Sequence, residues 1–300
     1  MLEALFQQFG FQMKVAQIMR GPLRGQLCAT RSAGGLLLQL TTNQCLSCSG
    51  NRNQRWLAIA LKQTDNLEMH RLRGEPVQPC SVQGFNRNLT ESIWQVSPHS
   101  HLSLLVVPVQ RILDLIALDP SSKLQGVIDT SNVVTFQPRH FQTLKTFLLS
   151  DEIHEAPARD TLDALLVECF MQPDNISDAG IPLSSRAELT NDLLNYGFSN
   201  PSTAISLKDL SKTLLKSSSS ITKASREQFG VSPMQLLKQI RLQQVQRLLM
   251  DPEQQHELGT HSISAIAQRF GFTAPNHFAR DYRRMFWESP RQTLKLTGAA

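Results

Sequence analysis

No stretch of this 300-residue chain approaches the ~18 uninterrupted apolar residues that a membrane helix needs. The most apolar one, His101 to Leu118, is broken by Ser103, Pro108, Gln110, Arg111 and Asp114. No membrane partner is expected. The opening residues MLEALFQQFGF hold an acid at Glu3 and no base before Lys14, so they do not read as a signal peptide. Cysteine is scarce: five scattered residues, an odd number, make no disulfide framework and point to a reducing cytoplasm. The phosphate-cradling GxxxxGK motif and the GxSxG nucleophile elbow are both missing. Cys45-Leu-Ser-Cys48 is a lone CxxC, and zinc would need a second pair. Two buried, inert thiols are the better reading there. No catalytic residue, metal site or cofactor is expected, and the chain does not read as an enzyme.

What is present is an uneven charge. Residues 206–295 carry 14 Lys and Arg against 7 Asp and Glu, a net of +7, while the remainder carries 16 against 18, a net of −2. A basic module beside a near-neutral one fits a chain in which one domain meets a polyanion and the other does something else.

The first half reads as strand-rich. Leu36–Leu40, Trp56–Leu61, Ser92–Val96 and Leu102–Val109 are short apolar runs, separated by turn-formers such as Gly34-Gly35, Ser49-Gly50-Asn51, Gly74 and Pro98. Such spacing predicts a compact barrel or jelly roll. Gln110–Leu118, Arg139–Leu149 and Arg159–Met171 then take helical periodicity. The broad apolar face of the last, with Leu162, Leu165, Leu166, Val167, Cys169 and Phe170, could complete the barrel's core or pair with its twin on another chain. Pro173, Asn175, Asp178, Gly180 and Pro182 mark a linker, and from Leu183 to Leu296 the periodic segments are helical. The expected fold is α+β in two domains: residues 1–171 a β-barrel or jelly-roll-like domain with helices, 172–182 a linker, and 183–300 an all-α domain.

The C-terminal domain repeats itself. Phe229-Gly230-Val231-Ser232-Pro233 returns as Phe286-Trp287-Glu288-Ser289-Pro290. In the second copy Ser262 can cap a helix with Ile263, Ile266, Ala267 and Phe270 on its inner face. Gly271 supplies a positive φ, Phe272 plugs the angle between helices, and Thr273 caps the next helix, whose buried stripe is Phe278, Tyr282 and Phe286. That is the recipe of a helix-turn-helix. In the first copy Leu207, Leu210 and Leu214 make the first helix, and Ile221 and Phe229 anchor the second. The two motifs span about 206–229 and 262–286.

The run from Ile263 to Thr273, Phe278 to Phe286, and Ser289-Pro290 resembles the C-terminal signature of the AraC/XylS family of transcriptional regulators. Arg226 to Met234, with Ile240-Arg241-Leu242, resembles that family's first motif and linker helix. The resemblance covers roughly residues 183–295; residues 1–170 resemble the family's sensor and dimerisation domains only in layout. Three positions depart from the pattern: Trp287 stands where glycine is usual, Ser225 replaces a large apolar residue, and Ser217–Ser220 replace basic residues.

The linker helix, from about Pro233 to Met250, is ~27 Å long, enough to hold two recognition helices near one DNA turn apart on one face of a duplex. The outward positions of the second recognition helix are Pro275, Asn276, Ala279 and Arg280. Asn276 matches the edge of adenine and Arg280 that of guanine. On the first helix the outward set is Ser219, Thr222, Lys223 and Arg226. The resemblance places base contacts on these same faces. Arg283, Arg284 and Arg291, with Lys212 and Lys216, read as phosphate clamps, and Arg241 as a structural residue. The expected function is a cytoplasmic, sequence-specific regulator of transcription. It would bind double-stranded DNA, form a homodimer, answer to a small-molecule effector through its N-terminal domain, and contact RNA polymerase if it is an activator. The alternative is a metal-dependent cupin-type enzyme with an appended helical module, resting on the HxH spacing of His99 and His101.

Overall fold

The computed structural model describes residues 3–296 apart from 4, 5, 8–10, 33, 119–123, 156, 172, 178–180, 182, 203, 204 and 261. The chain forms two compact units, Leu2–Met13 with Gly25–Ser184, and Lys14–Arg24 with Ser185–Ala300. Among the described residues no helix is long and apolar enough to cross a membrane.

After β1 (Met13–Gln17), the first unit runs β2 (Gly25–Ser32), β3 (Gly35–Thr42), β4 (Leu46–Asn51), β5 (Trp56–Lys62), β6 (Arg71–Leu72), β7 (Glu75–Pro76), β8 (Ser81–Gln83), β9 (Glu91–Val96) and β10 (Ser100–Pro108). Helices α1 (Val109–Leu118) and α2 (Leu124–Thr130), strand β11 (Val133–Phe136), helices α3 (Pro138–Leu149) and α4 (Ala158–Met171), and strand β12 (Pro173–Ser177) follow. The larger sheet has the order β12-β11-β8-β5-β10-β3-β2, and β4, β9, β6 and β7 lie in that order in the other. Pairing is antiparallel, with β10 set between β3 and β5.

The alternation of strands sorts their side chains to two faces. From β5 and β10, Leu57, Ile59, Leu61, Leu105 and Val107 enter one core with Phe136, Leu144, Phe147 and Phe170. The apolar face of α4 belongs to this core: Leu162, Leu166, Cys169 and Phe170 are buried in it and Leu165 packs against it. That face completes its own unit and is not left bare for a twin. Arg111 on α1 is locked to α4, its Nε donating to Asp163 Oδ1 at 2.9 Å.

The stretch read as a linker, 172–182, departs from that reading. Residues 173–177 are strand β12, which pairs with β11 from Val133↔Ser177 to Phe136↔Pro173, with a register shift beside Phe136. At the end of a sheet a proline costs little, because only one side of the strand is paired.

The second unit is helical: α5 (Ser185–Ser199), α6 (Leu207–Thr213), α7 (Ser218–Phe229), α8 (Pro233–Leu249), α9 (Pro252–Glu257), α10 (Ile263–Arg269), α11 (Pro275–Phe286) and α12 (Pro290–Lys295). Serine side chains cap many of these helices: Ser206, Ser217, Ser232, Ser262 and Ser289 each accept from a backbone N–H of the first turn. Lys14–Arg24 is a strap on this unit. The Gln17 N–H donates to Gln243 Oε1 at 2.7 Å, and Gln243 Nε2 donates back to the Gln17 carbonyl at 2.8 Å. The Gly21 N–H donates to the Met285 carbonyl at 2.7 Å, and Lys14 Nζ to Asn195 Oδ1 at 3.2 Å.

Candidate nucleic-acid interface

The second helix pair is built on a core of Ile266, Ala267, Phe278, Tyr282, Met285 and Phe286 against Leu242, Val245, Leu248 and Leu249 of α8. Gly271 turns the chain between α10 and α11 at φ +78, and a Cβ there would lie 2.6 Å from the Ser202 carbonyl oxygen. Glycine is required twice over, for conformation and for room. Phe272 packs on Phe278 with the rings tilted by 50° and their centroids 5.2 Å apart, and carries the Arg241 guanidinium 5.5 Å above its ring. Arg241 thus props the turn from α8, and burial lowers its pKa. Thr273 is not the cap of α11. Ala274 holds that position with no side-chain bond, because Pro275 opens the helix and demands an extended residue before it.

With Phe278, Tyr282, Met285 and Phe286 turned inward, the opposite side of α11 presents Pro275, Asn276, Arg280, Arg283 and Arg284 exposed, with Ala279 half-buried between them. Arg280 keeps 63% of its side chain in solvent, and Asp281 is engaged by Lys238 Nζ at 3.1 Å. On α7, Ser219, Lys223 and Arg226 are exposed and Thr222 is half-buried. Together they line a shallow groove with Leu207, Ser218 and Glu227. Here the hydroxyls are partly spent: Thr222 Oγ1 donates to the Ser218 carbonyl at 2.8 Å, and Ser219 Oγ lies 3.0 Å from Ser217 Oγ. Lys212, Lys216 and Arg291 are exposed.

Ser225 has a bonding role in the first copy. It is fully buried, and its Oγ donates to the Val231 carbonyl at 2.8 Å, tying α7 to the turn before α8. Ser225→Phe therefore overfills a closed site and loses that bond. We expect it to lower the unfolding free energy by about 1–3 kcal/mol, read from denaturant melts.

Four residues at the two motifs adopt the left-handed conformation: Leu215 (φ 52) and Gly230 (φ 71) in the first, Gly271 (φ 78) and Trp287 (φ 61) in the second. Each motif thus keeps glycine at one of its two bends and sets a bulky residue at the other. Trp287 is 72% exposed, so little burial offsets its strain. Trp287→Gly should raise stability by about 1 kcal/mol, seen as a higher melting temperature.

The residues set aside in the sequence fall elsewhere. Cys45 and Cys48 are buried, and burial pushes the Cys45 thiol up to about 12 and Cys48 upward too, which keeps both as unreactive thiols. His99 sits exposed in the turn before β10 at φ 53, and His101 is half-buried on that strand. Among the described residues no three of His, Cys, Asp or Glu gather as a metal cluster.

Residues 210–296 match the helix-turn-helix domain family. The XylDLEGF operon transcriptional activator 2 of Pseudomonas putida is 31% identical over 97 residues, 32% of this chain and 59% of that protein. The chain thus spans about three fifths of the length of that curated relative. Among solved structures, a probable AraC family transcriptional regulator from Rhodopseudomonas palustris CGA009 is 33% identical over 37% of this chain and 97% of that one, with a TM-score of 0.32. ToxT from Vibrio cholerae is 13% identical over 95% of this chain and 98% of that one, also with a TM-score of 0.32.

Proposed function

We propose, from a C-terminal domain that is a tandem helix-turn-helix of the AraC/XylS type, that this chain is a sequence-specific regulator of transcription. The observation that carries the reading is the division of α11: four large side chains buried on one side, and Asn276, Arg280, Arg283 and Arg284 exposed on the other. Placed in a major groove, the N-terminal part of α11 sets Asn276 against an adenine edge and Arg280 against a guanine edge. Pro275 and Ala279 border them and leave room for bases to approach. Arg283 and Arg284, one turn on, meet phosphates.

The first recognition helix, α7, offers Ser219, Thr222, Lys223 and Arg226. With the Thr222 hydroxyl already bonded to its own helix, it reads bases less sharply than α11. Helix α8 has 17 residues, ~26 Å of rise, so one chain spans two successive major grooves and its site need not be palindromic. The N-terminal unit senses a small molecule and pairs two chains, raising the local concentration of the second DNA-binding domain. The protein works in the cytoplasm, and as an activator it would meet RNA polymerase.

The test is Arg280→Ala in the full chain, titrated against its selected duplex and against variants of each base pair. Affinity should fall by about 1–3 kcal/mol and preference should relax at one base pair. Ser219→Ala should change little. Unaltered preference in Arg280→Ala would remove α11 as the reading helix.

A further inference from the structure

The strap on the helical unit carries an arginine to the flank of the second recognition helix. Its bend at residues 19–21 is held from two sides. Gln17, 3% exposed, donates through Nε2 to the Met19 carbonyl at 2.8 Å and to the Gly21 carbonyl at 2.7 Å, the two carbonyls on either side of Arg20. The Gly21 N–H donates to the Met285 carbonyl, so the residue after Arg20 is bonded to the residue after Arg284. Gln17 is itself bonded in both directions to Gln243 of α8. The bend is thus fixed to α8 and α11 at once, while Arg20 is exposed. Its backbone is ordered before any ligand arrives, which leaves only the side chain to be immobilised on binding.

Arg20 lines a groove of about 410 Å³ with Lys238 and Arg241 of α8 and Asp281 and Arg284 of α11. Leu242 and Met285, both buried, belong to the same lining, and apolar surroundings strengthen the field of these charges. Asp281 is the one acid of the described lining, and Lys238 holds it at 3.1 Å. Arg241 is spent on the Phe272 ring. That leaves the guanidiniums of Arg20 and Arg284, neither with an ion pair among the described residues. Two planar forks, each matched to the paired oxygens of a phosphate, therefore line one groove. Asn276, Arg280 and Arg284 follow one another at i, i+4 spacing along α11, so the groove lies at the end of the row turned toward bases. A duplex whose bases meet Asn276 and Arg280 brings its backbone past Arg284.

We infer that Arg20 and Arg284 hold one phosphate of the DNA backbone between them: Arg284 brings it to the groove, and Arg20 closes on it from the strap. The inference rests on the DNA-binding reading given above. Its test uses the full chain and its selected duplex, followed by fluorescence anisotropy. Arg20→Gln should weaken binding about tenfold, the loss of hydrogen bonds to a charged group, and to the same degree across DNA sequences. The salt slope should hold in Arg20→Gln, because it counts neutralised phosphates and Arg284 still neutralises this one. Adding Arg20→Gln to Arg284→Gln should cost no more than about twofold further, since without Arg284 the phosphate no longer seats. A neutral methylphosphonate, placed at each backbone position in turn, should erase the effects of both single substitutions at the same position. Additive losses, erasure at different positions, a slope flattened by about one unit in Arg20→Gln, or an Arg20→Gln chain that binds like the parent overturns the inference and leaves the DNA reading standing. A parent chain that binds no duplex removes the DNA reading, and the inference with it.

Discussion

Raising salt from 50 to 200 mM should lower the affinity of the full chain for duplex DNA by about 500-fold. Lys212, Lys216, Arg283, Arg284 and Arg291 are all exposed. If each neutralises one phosphate, the logarithmic salt slope is about −4.5, and a fourfold rise in salt acts through it. Replacing Arg283 and Arg284 together by Gln removes about two units of slope, so the same step should then cost about 40-fold. The loss should be nearly uniform across DNA sequences, unlike that of Arg280→Ala. Fluorescence anisotropy over a salt series measures both. Binding that ignores salt would sink the DNA-binding reading, and an unchanged slope in the double variant would reassign the phosphate contacts.

Arg111→Ala should lower the stability of the N-terminal unit by up to about 3–5 kcal/mol, the cost of leaving a buried carboxylate with only the longer Arg159 Nε contact at 4.0 Å. Arg111 and Asp163 are 5% and 15% exposed, and Arg111 Nη2 also donates to the Arg159 carbonyl at 3.3 Å. The pair joins α1 to α4 beside an apolar core, where two aliphatic side chains could replace it. Arg111→Leu combined with Asp163→Leu should therefore recover most of the loss. Denaturant melts followed at Trp56 and Trp94 provide the measurement. A single variant as stable as the parent would show that water reaches Asp163 freely.

Legibility followed the range of the interactions. The runs around Leu36–Leu40, Trp56–Leu61 and Leu102–Val109 could be read as strands because alternation is local, and they became β3, β5 and β10. Which face of β5 met helices depended on β10 and α4, far along the chain, and was not readable. Ser262 as a cap was visible from its neighbours; Thr273 was misplaced by one residue because the proline after Ala274 decides where α11 begins. Ser225 looked like a deficit of packing, since its hydroxyl bond to Val231 appears only when the two helices meet. Residues 173–177 looked like a linker from their Pro and Asn, yet their pairing with β11 overrides composition. The outward faces of α7 and α11 were legible because helical period and exposure are one fact seen twice.

The strap has a temporal consequence. Gln17 and Gln243 are 226 positions apart, and each satisfies the other's amide groups in a buried contact. At a synthesis rate of ~5–20 residues per second, roughly 10–45 s pass between the making of one and the making of the other. Helices α5 to α7 can form as they leave the ribosome, but the strap has its partners only when α8 and then α11, which carries Met285, are complete. Throughout that interval the amides of residues 14–24 must stay solvated or be shielded by another chain. The helical unit is thus the portion of the molecule whose folding waits on loops of more than two hundred residues.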